Sequence, residues 1–323
     1  MTTFWSGRRV LVTGGSGFLG RTVCAKLHAK GADVVAPSHA SVDLTRQDAV
    51  DRLVAEVKPD QLIHLAARVG GIGYNQVAPA ELYLDNLLMG TYLIESARHH
   101  LVGKTVLVGT VCSYPKFTPV PFNETALWDG YPEETNAPYG IAKKALLIHA
   151  QVNRAQYGQN SIFLIPTNLY GPGDSFDTAV SHVIPALIRK CVEAIEQGRT
   201  SIEVWGTGAA SREYLYVHDA ADGIVLAAEH YDGADPVNLG ANDEITIRQT
   251  VEQVAALTGF TGTLAWDPSK PDGQPRRRVD ADRALSAFGW KASTPFAQGL
   301  AVTIDWYRNN RAAAESSRLA TPS

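Results

Sequence analysis

The chain has 323 residues, 45% of them hydrophobic and 19% charged, enough for one large globular domain and a smaller one. Its formal net charge of -4 gives no basic surface suited to nucleic acid or an anionic membrane. The three cysteines, Cys24, Cys112 and Cys191, are too scattered for a disulfide framework or a metal-ligand cluster, which fits a reducing cytoplasm.

The N-terminus runs into a strand without the apolar core of a signal peptide, and no apolar run is long enough to span a bilayer. Strands are predicted at Arg9–Thr13, Asp33–Ala36, Gln61–Leu65, Thr105–Gly109 and Ser161–Ile165. Helical patterns alternate with them at about Phe18–Lys30, Thr45–Val57, Pro79–His100 and Pro138–Tyr157. Such βαβ alternation predicts an α/β fold, a doubly wound parallel sheet with helices on both faces. After Asn168 the rhythm breaks at Gly171-Pro172-Gly173. A helix from about Ile184 to Glu196 and a strand near Ile202–Trp205 come next. Tyr214–Val217, a helix Asp219–His230 and a strand Val237–Leu239 read as a return to the first sheet.

The first strand leads straight into Gly14-Gly15-Ser16-Gly17-Phe18-Leu19-Gly20, which opens a helix. Glycines at 14, 17 and 20 allow a tight turn, close approach of a pyrophosphate to backbone, and packing of helix on strand. The helix N-terminus adds unpaired N–H groups and a favourable dipole. Between a strand and a helix at the head of a βαβ series, this loop predicts dinucleotide binding in a Rossmann domain.

The expected division is therefore a Rossmann domain of residues 1–168 plus 214–240 and a smaller, discontinuous α/β substrate domain of 169–213 plus 241–310. An Ala/Ser-rich tail, 311–323, is expected to fray. A ligand would sit in the crevice between the two lobes.

An acid after the second strand would hold the ribose 2′-hydroxyl of NAD. Here that strand ends in Ala36-Pro37-Ser38-His39, with no carboxylate. The gap leaves room for a 2′-phosphate within reach of Ser38, His39 and Arg21, so NADP(H) is the expected cofactor. Asp43 is assigned to the adenine side.

Tyr139 and Lys143 are four residues apart in a predicted helix, one turn apart on the same face. A nearby cation is expected to lower the phenol's pKa and make it a usable acid or base. Thr110 lies where a second hydrogen bond to the same substrate oxygen is available. Cys112 is the unusual neighbour.

The glycine loop and Tyr139-Gly140-Ile141-Ala142-Lys143 resemble the extended short-chain dehydrogenase/reductase superfamily, most of whose members act on nucleotide sugars. The chain is most similar to its GDP-L-fucose synthase branch, the GDP-4-keto-6-deoxymannose 3,5-epimerase-4-reductases. The specific segments are Cys112-Ser113-Tyr114-Pro115-Lys116 and Ser181-His182-Val183-Ile184-Pro185. His64-Leu65-Ala66-Ala67, Pro166-Thr167-Asn168-Leu169-Tyr170, Trp205-Gly206-Thr207-Gly208 and Lys270-Pro271-Asp272-Gly273 extend the likeness over nearly the whole chain.

The resemblance implies a catalytic Tyr139–Lys143 pair, with Lys143 also holding the nicotinamide ribose, and Cys112 and His182 as the epimerisation acid–base pair. It implies that Leu65, Ala66, Ala67, Pro166, Asn168, Leu169 and His182 line the dinucleotide. Thr110, Val111, Cys112, Asn168, Lys190, Trp205, Arg212, Lys270 and Asp280 are then implied to contact the GDP-linked 4-keto-6-deoxy sugar. It also implies a homodimer through Pro79–His100 and Pro138–Tyr157. Two departures stand out. Val111 replaces a small hydroxyl residue, and Lys190 stands where an arginine would give a bidentate grip on phosphate.

A 4-keto group acidifies the C3 and C5 protons, and inversion needs a base on one face and an acid on the other. A thiol and an imidazole suit that work, although a helix starting just after His182 would disfavour its cationic form. Reduction at C4 would follow, with Tyr139 protonating the oxygen and Thr110 stabilising its charge. The competing readings are an inert core thiol at 112, a structural histidine at 182, packing for Trp205 and a partly solvated face for Arg276-Arg277-Arg278, with one of the three reaching a phosphate. At the level of function they are another GDP-keto sugar, a redox-neutral 4-epimerase with bound NAD, and an NADP-sensing protein without turnover. A 4,6-dehydratase would want carboxylates where Val111 and Cys112 stand.

Overall fold

The computed structural model describes residues 4–177, 181–270 and 272–316, with the backbone alone at Ile72. Pro271 of the Lys270–Gly273 segment and residues 317–323 of the expected tail lie outside the described residues.

The first half is built from β1 (Arg9–Thr13), α1 (Phe18–Ala29), β2 (Asp33–Val35), α2 (Gln47–Val57), β3 (Gln61–His64), α3 (Ile72–Val77), α4 (Pro79–His99), β4 (Lys104–Val108), α5 (Ala137–Tyr157) and β5 (Ser161–Pro166). The second half continues with β6 (Asn168–Tyr170), α6 (Val183–Glu196), β7 (Ser201–Trp205), β8 (Ser211–Arg212), β9 (Tyr214–Tyr216), α7 (Val217–His230) and β10 (Val237–Leu239). It ends with β11 (Ile245–Thr246), α8 (Ile247–Thr258), β12 (Thr263–Asp267), β13 (Arg276–Arg277), α9 (Asp282–Phe288), α10 (Phe296–Asn309) and α11 (Arg311–Glu315).

Six strands form one parallel sheet in the order β2-β1-β3-β4-β5-β10. Its inner strands are unbroken buried runs, such as Gln61–His64 and Ser161–Pro166, because helices cover both faces. The strand order reverses between β1 and β3, and the loops beyond their carboxyl ends form the crevice where such sheets take ligands. Among the described residues no helix is long and apolar enough to cross a membrane.

Tyr214–Tyr216, expected back in the first sheet, instead pairs in parallel with Asn168–Tyr170 in a separate two-stranded sheet. The reason lies in its packing. Leu215 joins the core of the large sheet, while Tyr214 stacks on Phe296 in the second lobe's core, so the strand bridges the two. Val237–Leu239 does rejoin the sheet, at the β5 edge.

The second core gathers α6, β7, α8 and α10 around Ile188, Cys191 and Tyr307. The expected boundary at 241 is not clean, since α9 and Trp290 pack on the first lobe's core. The Trp290 indole donates to the Asp219 carbonyl at 3.1 Å, and Gly223 leaves the space the ring occupies. Residues 311–315 of the expected frayed tail form a helix instead. Ala314 is buried, and Glu315 accepts from Tyr307 Oη and Arg311 Nε at 2.7 Å each.

Candidate active site

The glycine turn has the shape its residues predict. Gly14 has φ +74°, the left-handed region, and a Cβ there would stand 2.6 Å from the Ala66 backbone nitrogen. A Cβ on Gly20 would collide with the Gly14 carbonyl, so α1 approaches the turn only with glycine there. Gly17 is the N-cap of α1; no side chain caps the helix and its first turn has no acid. The leading N–H groups are left for an anion, and this cradle fits a dinucleotide pyrophosphate. Leu65 crosses above the turn, its N–H donating to the Thr13 carbonyl at 3.0 Å.

After β2, Ser38 and His39 are exposed on a turn closed by Ser41 N–H donating to the Ser38 carbonyl at 3.0 Å. The carboxylate of Asp43 is taken up by Thr45, which donates to it from its N–H at 2.9 Å and its hydroxyl at 2.7 Å. The Arg21 guanidinium donates from Nε to the Ser16 carbonyl at 2.8 Å.

On the other side of the crevice, α5 carries the tyrosine and lysine. Lys143 Nζ lies 5.9 Å from the Tyr139 ring centroid. Lys143 is only 2% exposed, and burial pushes its ammonium down from 10.5 to about 8. Burial first, and then negative charge on Cys112, hold the Tyr139 phenol well above its usual 10. The expected lowering of the phenol by the lysine is therefore corrected: desolvation wins. That direction suits an acid, because the phenol stays protonated until charge develops on a substrate oxygen.

Thr110 ends the loop after β4, and its Oγ1 accepts from the Cys112 N–H at 3.2 Å, capping the short turn Val111–Ser113. Its own hydroxyl proton remains available to a ligand. Gly140 lets α5 press onto this turn, for a Cβ there would collide with the Cys112 carbonyl. Ser113 Oγ ties the two by donating to the Gly140 carbonyl at 3.1 Å. The side chain of Val111, expected against the substrate, is buried in the core with Leu107 and Phe163, so a contact from this residue to a ligand would come from its backbone.

Of the three free cysteines, Cys112 alone sits on this turn. Burial pushes up the Cys24 thiol, and takes that of Cys191 to about 11. The Cys112 sulfur accepts instead from Arg277 Nη1 at 3.7 Å. His182 is exposed at the N-cap of α6 and caps no N–H with its side chain.

The remaining candidates fall in two groups. Lys190 Nζ donates to the Glu203 carbonyl at 3.0 Å, and Trp205 Nε1 to the Glu203 carboxylate at 2.8 Å. Trp205 is 59% exposed with Lys270 Nζ 5.4 Å from its ring, so it is a surface platform and not core packing. Arg212 is nearer the thiol, its Nη atoms tied to the carbonyls of Ser211, Asp272 and Gln274 at 2.7–3.1 Å. Burial and the Arg277 charge take it down to about 10, so it stays cationic at neutral pH. Asp280 lies just before α9, accepting from Asp282 N–H at 3.0 Å and Asn123 Nδ2 at 3.2 Å. Asn168 Nδ2 donates to the Glu213 carbonyl at 2.9 Å.

Arg277 is the residue that sequence reasoning missed. In a run of three arginines nothing singles it out. The structure does: Arg276 pairs with Glu244 at 2.6 Å on the surface while Arg277 turns to the sulfur.

An uncapped glycine turn at the switch point of a doubly wound sheet, facing a buried lysine one turn from a tyrosine, defines a nicotinamide-dinucleotide enzyme of short-chain dehydrogenase type. The profile of the "NAD dependent epimerase/dehydratase family" matches residues 10–240. GDP-L-fucose synthase 1 of Arabidopsis thaliana is 42% identical over 94% of each chain. The solved GDP-L-fucose synthetase of Naegleria fowleri bound to NADP superposes with TM-score 0.87 at 29% identity, over 97% of this chain and 98% of that one. A GDP-6-OMe-4-keto-L-xylo-heptose reductase from C. jejuni does so with TM-score 0.89 at 25% identity, over 94% and 98%. The chain belongs to the NAD dependent epimerase/dehydratase family and, within it, to the GDP-L-fucose synthases.

Proposed function

We propose that the chain converts GDP-4-keto-6-deoxymannose to GDP-L-fucose by epimerisation at C3 and C5 and NADPH-dependent reduction at C4. The observation that carries this reading is the Cys112 turn pressed against the N-terminal end of α5, which puts a thiol beside the Tyr139–Lys143 pair. Simple ketone reduction has no use for that thiol.

NADP(H) is the proposed cofactor, supported by the absence of a carboxylate after β2 and by the NADP-bound relative. When bound, it supplies the hydride for C4. Gly14 to Gly20 would hold its pyrophosphate and Ser38, His39 and Arg21 would reach the 2′-phosphate. Cys112 and His182 exchange protons with C3 and C5 from opposite faces of the sugar. Tyr139 delivers the proton to the C4 oxygen, Thr110 hydrogen-bonds it, and Lys143 holds the ribose. Trp205, Lys190, Lys270 and Arg212 grip the GDP end, and Asp280 and Asn168 shape the crevice. The free thiols fit the reducing cytoplasm.

Incubation with GDP-4-keto-6-deoxymannose and NADPH in D₂O tests the proposal. The product is expected to carry deuterium at C3 and C5 by NMR, and Cys112→Ser to lose most of both labels while still binding NADPH. Label at one carbon only would redirect the assignment to another GDP-keto sugar. NADPH oxidation without label at either carbon would sink the epimerase half.

A homodimer through α4 and α5 belongs to the same proposal. Tyr83 and Leu84 on α4 and Ile148 and Val152 on α5 are exposed, and a groove of about 430 Å³ lies between Pro79, Tyr83, Tyr131, Pro138 and Ile141. Ile141, Ile148 and Val152 fall on one helical stripe, the pattern of a helix face that seeks a partner. Light scattering is expected to give twice the chain mass, and Ile148→Glu with Val152→Glu to give the monomer. A monomeric parent protein would refute this interface.

A further inference from the structure

We propose that Arg277 is a catalytic residue of epimerisation. Its guanidinium holds the Cys112 sulfur and stabilises the negative charge that the sulfur bears on one side of the proton transfer. This rests on the reading of Cys112 as an epimerisation acid–base group.

Four observations carry it. β13 pairs in parallel with β8 in the register Arg277 to Arg212, and the Glu213 N–H donates to the Arg277 carbonyl at 3.0 Å, which fixes the residue's backbone over the crevice. Arg277 Nη1 then reaches the sulfur at 3.7 Å, while Nε donates to Gln274 Oε1 at 3.2 Å. Gln274 is itself buried, and its Nε2 donates to the Lys116 carbonyl at 2.8 Å. That bond fixes which end of the amide faces the arginine, because only an amide nitrogen can donate to a carbonyl. Lastly, Arg277 makes no ion pair with a carboxylate among the described residues, whereas Arg276 is neutralised by Glu244. The sulfur is the anion this charge is placed to meet.

The chemistry closes without a further reactant. As the thiolate takes the proton from the carbon beside the C4 carbonyl, the S–H bond forms and the C–H bond breaks. The C–H electron pair moves onto the C4 oxygen as an enolate, and His182 returns a proton to the opposite face. In the reverse sense the thiol gives the proton and is left anionic. Either way one state carries charge on sulfur, and a charge-assisted donor already in place stabilises it without reorganisation. Gln274 is the positioning residue, acting through Arg277.

Alkylation of Cys112 by iodoacetamide in the unliganded full chain, followed by mass spectrometry at pH 7, tests the contact without any substrate. Arg277→Gln is expected to slow it about tenfold. Arg277→Lys is expected to slow it less, and Gln274→Leu part of the way. Unchanged NADPH binding checks that the variants fold. In D₂O with the sugar nucleotide and NADPH, Arg277→Gln is expected to lower label at C3 and C5. The double variant Arg277→Gln/Cys112→Ser should label no less than Cys112→Ser alone, the non-additivity of groups that act as a unit. Unchanged alkylation overturns the proposal. So does a raised KM for the sugar nucleotide with kcat and alkylation unaltered, which would make Arg277 a phosphate contact. If instead the parent protein gives no label at all, the epimerase reading fails while the alkylation result still decides the contact.

Discussion

Tyr139→Phe is expected to lower NADPH-dependent reduction at C4 by about 10²–10⁴-fold, the usual contribution of a positioned general acid. The substitution keeps the ring and removes only the hydroxyl. Deuterium exchange at C3 and C5 should persist, because it depends on Cys112 and not on the phenol. The expected outcome is therefore accumulation of a labelled, epimerised 4-keto sugar that is barely reduced. Burial and the charge on Cys112 hold the phenol well above its usual value. Tyr139 accordingly stays protonated through the physiological range, and no rise of activity with pH is expected from it. Reduction by Tyr139→Phe within tenfold of the parent enzyme would remove the phenol from the mechanism.

Lys143→Met is expected to abolish reduction and yet to make the unliganded protein more stable. Lys143 is almost fully buried and has no ion-pair partner among the described residues. The fall from 10.5 to about 8 corresponds to about 3 kcal/mol of unfavourable charge burial at neutral pH. The sign follows from proton uptake. Between about 8 and 10.5 the unfolded chain holds a proton on this lysine that the folded chain does not, so stability from this group rises with pH across that window. Below about 8 the penalty is complete. Methionine fills a similar volume without the charge, so urea unfolding at pH 7 should show the gain, shrinking as pH rises towards 10.5. A loss of stability on substitution would mean the ammonium is supported in the fold. Such a group is a functional site's characteristic cost, kept because the chemistry needs the cation. Its charge also joins burial in keeping His64 neutral, well below the usual histidine value.

The strand and helix calendar of the first half was legible because each element is local. Central strands are built around short apolar runs, and the turns between them are marked by glycine and proline. The five strands expected before Asn168 all exist, with ends displaced by a residue at most. What failed was non-local. Nothing in Tyr214-Leu215-Tyr216 says that its neighbour is Asn168–Tyr170 instead of the main sheet, because partner choice is made by which cores the alternate side chains enter. Residues 311–315 read as the start of an Ala/Ser-rich, frayed tail, yet Ala314 is buried and the Tyr307–Glu315–Arg311 contacts hold the turn.

The site divides in the same way. Spacing alone puts Tyr139 and Lys143 on one helical face, and Gly14, Gly17 and Gly20 at a strand-to-helix turn, since both patterns are consequences of backbone geometry over a few residues. The protonation of those groups is a property of their surroundings. A sequence names the cation beside the phenol but not the depth of burial that outweighs it. Likewise, three consecutive arginines look equivalent until β13 pairs with β8 and sends one to a carboxylate and the next to a sulfur. Covalent order decides the periodic elements and the phosphate turn. Long-range packing decides desolvation and partners, and through them which side chains can do chemistry.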